Sequence, residues 1–274
     1  MGQISGQVSG QLSGQLSDSL SGKHALVTGG GKGIGLAIAR ALLQQGASVT
    51  ITGRNASTLL AARAQLQDLG QITVVEMDVA DRAAVSRAFA QAQSAAGLIA
   101  ILVNNAGQAG SAPFLKTDIE LWQQMLAVNL SGTFHCSQEA LPGMLAQGWG
   151  RIVNVASTAA LTGYAYVSAY CAAKHGVLGL TRALALEVAT QGITVNAVCP
   201  GYTETDIVEN AVKNIMDKTG RSAAQARAEL AAGNPQQRLV QVEEVAQAVA
   251  WLCQPGSSAI TGQAIAVAGG EIMG

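Results

Sequence analysis

From Lys23 onward the chain alternates two kinds of hydrophobic pattern. Short runs rich in β-branched and aliphatic residues read as strands: Ala25–Thr28, Ser48–Thr52, Ile72–Met77, Ile99–Val103, Arg151–Ala156, Ile193–Val198 and Ala264–Val267. Between them lie longer Ala-, Leu- and Gln-rich stretches whose apolar positions recur at helical spacing. These predict helices over Ile34–Gln45, Ser57–Leu69, Ala83–Ala96, from Asp118 past Asn129 toward Leu145, over Ser168–Thr190 and over Glu243–Cys253. Gly46, Gly70 and Gly97 stop three of them. Strands separated by helices require crossover connections, so the pattern predicts an α/β fold with a mostly parallel sheet covered on both faces. Ligands of such sheets bind beyond the carboxyl ends of the strands, where the strand order reverses.

Two segments depart from the alternation. Residues 203–235 are polar, helix-prone and placed after Pro200-Gly201 above the carboxyl edge, which suits a substrate-covering lid. Residues 1–22 repeat a Ser-Gly-Gln unit (Ser5-Gly6-Gln7-Val8, Ser9-Gly10-Gln11-Leu12, Ser13-Gly14-Gln15-Leu16) and read as a flexible tail. The alternative is a short helix docking through Ile4, Val8, Leu12 and Leu16. The remainder, 23–274, is expected to be one domain.

Composition narrows the function classes. With 49% hydrophobic and 12% charged residues the chain can bury a large core, and a net charge of −1 gives no basic surface for nucleic acid or an anionic membrane. No run is long enough to span a bilayer. Cys136, Cys171, Cys199 and Cys253 lack metal-ligand spacing and read as reduced thiols of a cytoplasmic protein, and His24, His135 and His175 are too scattered to suggest a metal site.

The chemistry concentrates at a few positions. Tyr170 and Lys174 are four apart and share one helix face, so the ammonium can favour the phenolate and ready it for proton transfer. Thr28-Gly29-Gly30-Gly31-Lys32-Gly33-Ile34-Gly35 joins the first strand to the first helix. Its glycines permit a tight turn and close approach of a pyrophosphate, which a helix N-terminus favours. The spacing is Gly-x-x-x-Gly-x-Gly, so the GxGxxG fingerprint is not matched.

Together these residues resemble the short-chain dehydrogenase/reductase family. The resemblance rests on Thr28-Gly29-x-x-x-Gly33-x-Gly35, Asp78-Val79, Asn104-Asn105-Ala106-Gly107, Asn129, Ser157, Tyr170-x-x-x-Lys174 and Pro200-Gly201, in family order from about Lys23 to the C-terminus. It implies a Rossmann-type, doubly wound parallel sheet of seven strands in a single domain, and a nicotinamide dinucleotide cofactor. In the roles it implies, Tyr170 is the general acid/base, Lys174 lowers its pKa and binds the nicotinamide ribose, Ser157 holds the substrate oxygen, and Asn129 holds a water of a proton relay. Cofactor contacts are expected from Thr28, Gly29, Gly31, Lys32, Gly33, Ile34, Gly35, Arg54, Asp78, Val79, Asn105, Ala106, Gly107, Tyr170, Lys174, Pro200, Gly201 and Thr203.

At the end of the second strand stand Gly53-Arg54-Asn55, where an acidic residue would bind ribose hydroxyls and repel a 2′-phosphate. Arg54 and Lys32 instead favour NADP(H), with NAD(H) as the alternative. The stretches Gly150–Ser157, Gly192–Gly201 and Gln263–Gly270 look closest to 3-oxoacyl thioester reductases and polyketide ketoreductases. The resemblance thus implies reduction of a 3-oxoacyl group held as an ACP or CoA thioester. Alternatives are oxidation of a 3-hydroxy acid, sugar or other secondary alcohol, and a non-catalytic cofactor-binding regulator. Relatives usually form homotetramers through their long central helices, and the same assembly is expected here.

Overall fold

The strands are apolar along nearly their whole length because helices cover the sheet on both sides. The computed structural model describes residues 19–273. In chain order its main elements are β1 (His24–Thr28), α1 (Gly33–Gln44), β2 (Ser48–Gly53), α2 (Ala56–Leu66), β3 (Ile72–Glu76), α3 (Arg82–Ala96), β4 (Ile99–Asn104), α4 (Ile119–Leu126), α5 (Gly132–Gln147), β5 (Gly150–Val155), α6 (Ser168–Val188), β6 (Ile193–Pro200), α7 (Asp206–Thr219), α8 (Ala223–Ala231), α9 (Val242–Cys253) and β7 (Ala264–Val267). All seven strands pair in parallel in the order β3-β2-β1-β4-β5-β6-β7. The order reverses between β1 and β4, which opens a crevice at their carboxyl ends.

Two apolar layers flank the sheet. On one face Ile38, Leu42, Leu59, Val245 and Val249 from α1, α2 and α9 pack on Val27, Ile51 and Val103. On the other, Val85, Phe89, Cys136, Ala140, Ala185 and Val188 from α3, α5 and α6 pack on Leu26, Leu102 and Ile152. Helix starts follow local chemistry: Asn55 caps α2 by accepting from the Thr58 amide, and Asp81 caps α3 through the amides of Ala83 and Ala84. The lid is a helical pair, α7 and α8, with its own small core of Val208, Val212, Ala226, Ala231 and Leu239.

Three features differ from the sequence-based expectation. The long helix through Asn129 is interrupted by a π turn over Ala127–Ser131. Its expected flow fails there because the Asn129 side chain serves a neighbouring loop, as described below. The expected helix to Leu69 gives way to a 3-10 turn over Gln67–Leu69. Leu20, inside the segment expected to be tail, is fully buried against the α1 and α9 layer, and its amide donates to Gln45 O at 2.9 Å. The Ser-Gly-Gln repeat lies outside the described residues. Among the described residues no helix is long and apolar enough to cross a membrane.

Candidate active site

A cavity of about 900 Å³ runs along the carboxyl edge of the sheet, over the β1/β4 crevice and under the lid. All the expected site residues border it except Thr28, which the fold turns inward. Its hydroxyl accepts from the Asn105 and Ala106 amides at 3.0 and 2.9 Å and donates to Val103 O. Those three bonds lock the end of β1 to the end of β4, so Thr28 shapes the crevice rather than reaching into it. Asn105 adds to the lock, its Nδ2 donating to Thr28 O and Gly29 O.

This lock explains the glycine turn. A Cβ on Gly35 would lie 2.3 Å from Gly29 O and 2.5 Å from Asn105 Nδ2, so only glycine fits where α1 crosses the Asn105 amide. Gly29 and Gly33 have φ of 64° and 54°, a region that side chains disfavour. The turn delivers the N-terminus of α1 to the cavity with no side-chain cap and no acidic residue in its first turn. Its free amides and the positive end of its dipole are therefore available to an anion. That arrangement fits a dinucleotide diphosphate. Arg54 is exposed at the same end and borders the cavity. Lys32, expected to favour NADP(H), pairs through its Nζ with Asp206 of α7 at 2.5 Å, two exposed groups joining turn and lid. Asp78 turns one carboxylate oxygen to the Ala80 amide at 2.9 Å, fixing the corner after β3.

At the other end lie Ser157, Tyr170 and Lys174. Tyr170 and Lys174 sit on the first turns of α6, with Lys174 Nζ 5.7 Å from the Tyr170 ring centroid. Lys174 Nζ donates to Val155 O at 2.9 Å, so the last carbonyl of β5 aims the ammonium. Ser157 follows that strand and accepts from the Ala159 amide, which fixes its hydroxyl in a 3-10 turn. Burial pushes the Tyr170 phenol above its ordinary value, while the nearby Ser157 hydroxyl pulls it down. Burial also pushes Lys174 down, to about 8. In both groups burial is the largest cause of the shift.

Asn129 uses its amide completely. Nδ2 donates to Gln108 O and Met125 O, both at 3.0 Å, and Oδ1 accepts from the Gln108 amide at 3.2 Å. The π turn lets this buried side chain clamp the loop after β4. A Cβ on Gly107 would lie 2.9 Å from Asn129 Oδ1 and 3.6 Å from Lys174 Nζ, so the two polar groups flank one glycine. Asn104 braces the floor, donating to Asn154 Oδ1 at 2.8 Å, while Asn154 donates to Thr181 of α6. Sequence reasoning did not single out Val155, Tyr202 or Glu271, which all bear on this end. Val155 acts through its backbone, and nothing in a side-chain pattern reports that.

A seven-stranded dinucleotide-type sheet with Ser157, Tyr170 and Lys174 converging beside its crevice defines an oxidoreductase class. The short chain dehydrogenase family model matches residues 23–216, and the chain belongs to that family. A putative ketoacyl reductase of Streptomyces coelicolor is 40% identical over 249 residues, covering 90% of this chain and 95% of the relative. The D-beta-hydroxybutyrate dehydrogenase of Rhizobium meliloti is 37% identical over 252 residues, covering 90% and 98%. The crystal structure of a variant actinorhodin polyketide ketoreductase with NADPH superposes with a TM-score of 0.88 at 38% identity, covering 92% of this chain and 98% of that one.

Proposed function

We propose that the protein is an NADP(H)-dependent reductase that converts the ketone of a 3-oxoacyl thioester, on ACP or CoA, to the alcohol. The carrying observation is one cavity with an uncapped helix N-terminus and Arg54 at one end and the Ser157, Tyr170 and Lys174 cluster at the other. The ketoacyl reductase relative and the NADPH-bound structural neighbour support the cofactor and the substrate class.

In this reading the turn from Gly29 to Gly35 holds the diphosphate, Asp78 and Val79 the adenine, and Asn105 to Gly107 the adjoining ribose. Arg54, with Lys32 once released from Asp206, meets the 2′-phosphate. Lys174 and Tyr170 face the nicotinamide ribose, and Pro200, Gly201 and Thr203 border the nicotinamide. A nicotinamide dinucleotide held by these residues would supply the hydride that reduces the carbonyl carbon. Ser157 donates a hydrogen bond to the carbonyl oxygen, where negative charge accumulates. Tyr170 then gives that oxygen its phenolic proton, completing the alcohol, and Lys174 stabilises the phenolate left behind. Asn129 holds the Gln108 loop against Lys174, on the side from which a water can return the proton.

Several expected partners belong to the same proposal. Phe114, Leu115, Ile119, Trp122 and Phe134 are exposed on α4, α5 and the turn before them, an apolar surface that supports a homotetramer. Light scattering should give four times the 27.8 kDa chain mass. The four free thiols fit a cytoplasmic location. The reductase reading is tested by a substrate panel with NADPH and NADH, setting 3-oxoacyl thioesters against simple ketones, sugars and steroids. NADPH-dependent turnover should be highest on the thioesters. Activity confined to a sugar or steroid, or equal use of NADH, would overturn it.

A further inference from the structure

The last described residues fold back over the substrate end of the cavity. After β7 the chain turns through Gly269 and Gly270, both at positive φ, and brings Glu271 beside the loop after Ser157, the end of β6 and the lid. The Glu271 carboxylate accepts a hydrogen bond from the Tyr164 phenol, whose oxygen also meets Thr158 Oγ1 at 2.9 Å. A Cβ on Gly201 would lie 2.8 Å from Glu271 Oε2, and one on Gly233 would lie 4.0 Å from Oε1. Thr158, Tyr164 and Gly201 all border the cavity, so the carboxylate stands directly behind its wall.

The electrostatics at this end are one-sided. Burial, then the bond to Glu271, push the Tyr164 phenol upward, and Glu271 adds to the upward push that burial gives Tyr202. The phenol therefore stays protonated and its proton is committed to Glu271. Among the described residues Glu271 forms no ion pair. The cations that border the cavity are Lys32 and Arg54, at the glycine-turn end, and Lys174, whose ammonium is turned onto Val155 O. Around the keto site the wall consists instead of groups such as Gln108, Ala159, Tyr164, Val167 and Tyr202. Among the described residues no cation besides Lys174 stands there to receive a carboxylate; the buried Gln108 Nε2, which has no hydrogen-bond partner, offers only a neutral donor, and the Glu271 carboxylate opposes an anion.

We propose that Glu271, held behind Tyr164, is a specificity-determining residue whose charge excludes substrates bearing a carboxylate next to the keto group and so reserves the site for uncharged 3-oxoacyl chains. This rests on the reductase reading and narrows its substrates: 3-oxoacyl thioesters are accepted, free 3-oxo acids are not. Glu271 acts on substrate choice, and its negative charge is what matters.

The test compares an uncharged thioester, S-acetoacetyl-N-acetylcysteamine, with acetoacetate, both reduced with NADPH. Wild type should reduce the thioester with the higher kcat/KM. Raising ionic strength should lower KM for acetoacetate while leaving KM for the thioester in place. Glu271→Gln should raise the acetoacetate-to-thioester ratio of kcat/KM about 10-fold through KM, with Glu271→Asp restoring the wild-type ratio. A ratio unmoved in Glu271→Gln, or a wild type that prefers acetoacetate with no salt response, overturns the proposal. If Glu271→Gln fails to fold, the wild-type salt series decides alone. Absence of turnover on either compound, with turnover on a sugar or steroid, overturns the reductase reading instead.

Discussion

Two cations are buried at opposite ends of the same strand, and their surroundings differ. Arg151, near the start of β5, is 2% exposed, and its Nη1 donates to Gly150 O at 2.8 Å and Gly192 O at 3.2 Å. Its guanidinium lies 4.4 Å from the Trp149 ring centroid, and Lys23 Nζ lies 4.2 Å from the same ring. Lys174, whose ammonium reaches the last residue of β5, is 5% exposed and has the Val155 carbonyl as its hydrogen-bond partner among the described residues. Burial lowers both pKa values. A guanidinium starts so high that it stays charged, so carbonyls and an indole can clothe it and make it a packing element. An ammonium lowered to about 8 falls within the working range of an enzyme, where a proton can move. Packing and hydrogen bonds offset desolvation at one end of the strand, and desolvation tunes a titratable group at the other.

The sharpest way to break this comparison is Lys174→Met. Turnover should fall on the order of 100-fold or more, while stability at pH 7 should hold or rise. The folded value lies below the unfolded 10.5, so the unfolded chain holds the extra proton between about pH 8 and 10.5. Wild-type stability should therefore gain as pH rises through that window. Below it the charged lysine costs the fold about 3 kcal/mol. Melting scans from pH 7 to pH 10 should show the variant's advantage shrinking, and a constant gap would contradict the assignment.

Arg151→Ala should do the reverse. It removes the packed guanidinium and strips two carbonyls of a donor, which should cost about 3 kcal/mol in urea unfolding with kcat/KM changed less than about threefold. Trp149→Leu removes only the stacking surface and should cost about 1–2 kcal/mol by the same measurement. The smallest effect belongs to Asp206→Asn, which frees Lys32. Because both partners are exposed, stability should change by less than about 0.5 kcal/mol. KM for NADPH, but not for NADH, should fall a few-fold, measured by initial rates.

Much of the fold was legible because parallel strands buried on both faces appear as continuous apolar runs, as in Ile99–Asn104. The Tyr170 and Lys174 pair was legible because a spacing of four on a helix is a contact. Local spacing carried no such message for Asn129, whose partner Gln108 lies on another element, or for the Lys32 and Asp206 pair, separated by 174 positions. Thr28 looked like a site residue because it adjoins the glycine turn, yet three hydrogen bonds draw it into the β1–β4 lock. Leu20 looked like tail because Gly and Ser surround it, yet the gap beside Gln45 takes it in.

The sequence by itself determined the order of strands and helices, the glycine turn that opens the first helix, and the side chains able to move a proton. These are consequences of local periodicity and residue chemistry. Tertiary structure decided what those side chains experience. It set the burial that moves Lys174 down and Tyr170 up, the clamp of Asn129 on Gln108, and the return of Glu271 to the cavity wall beside Tyr164. Dielectric surroundings and long-range charge depend on which distant segments meet, and only folding brings them together.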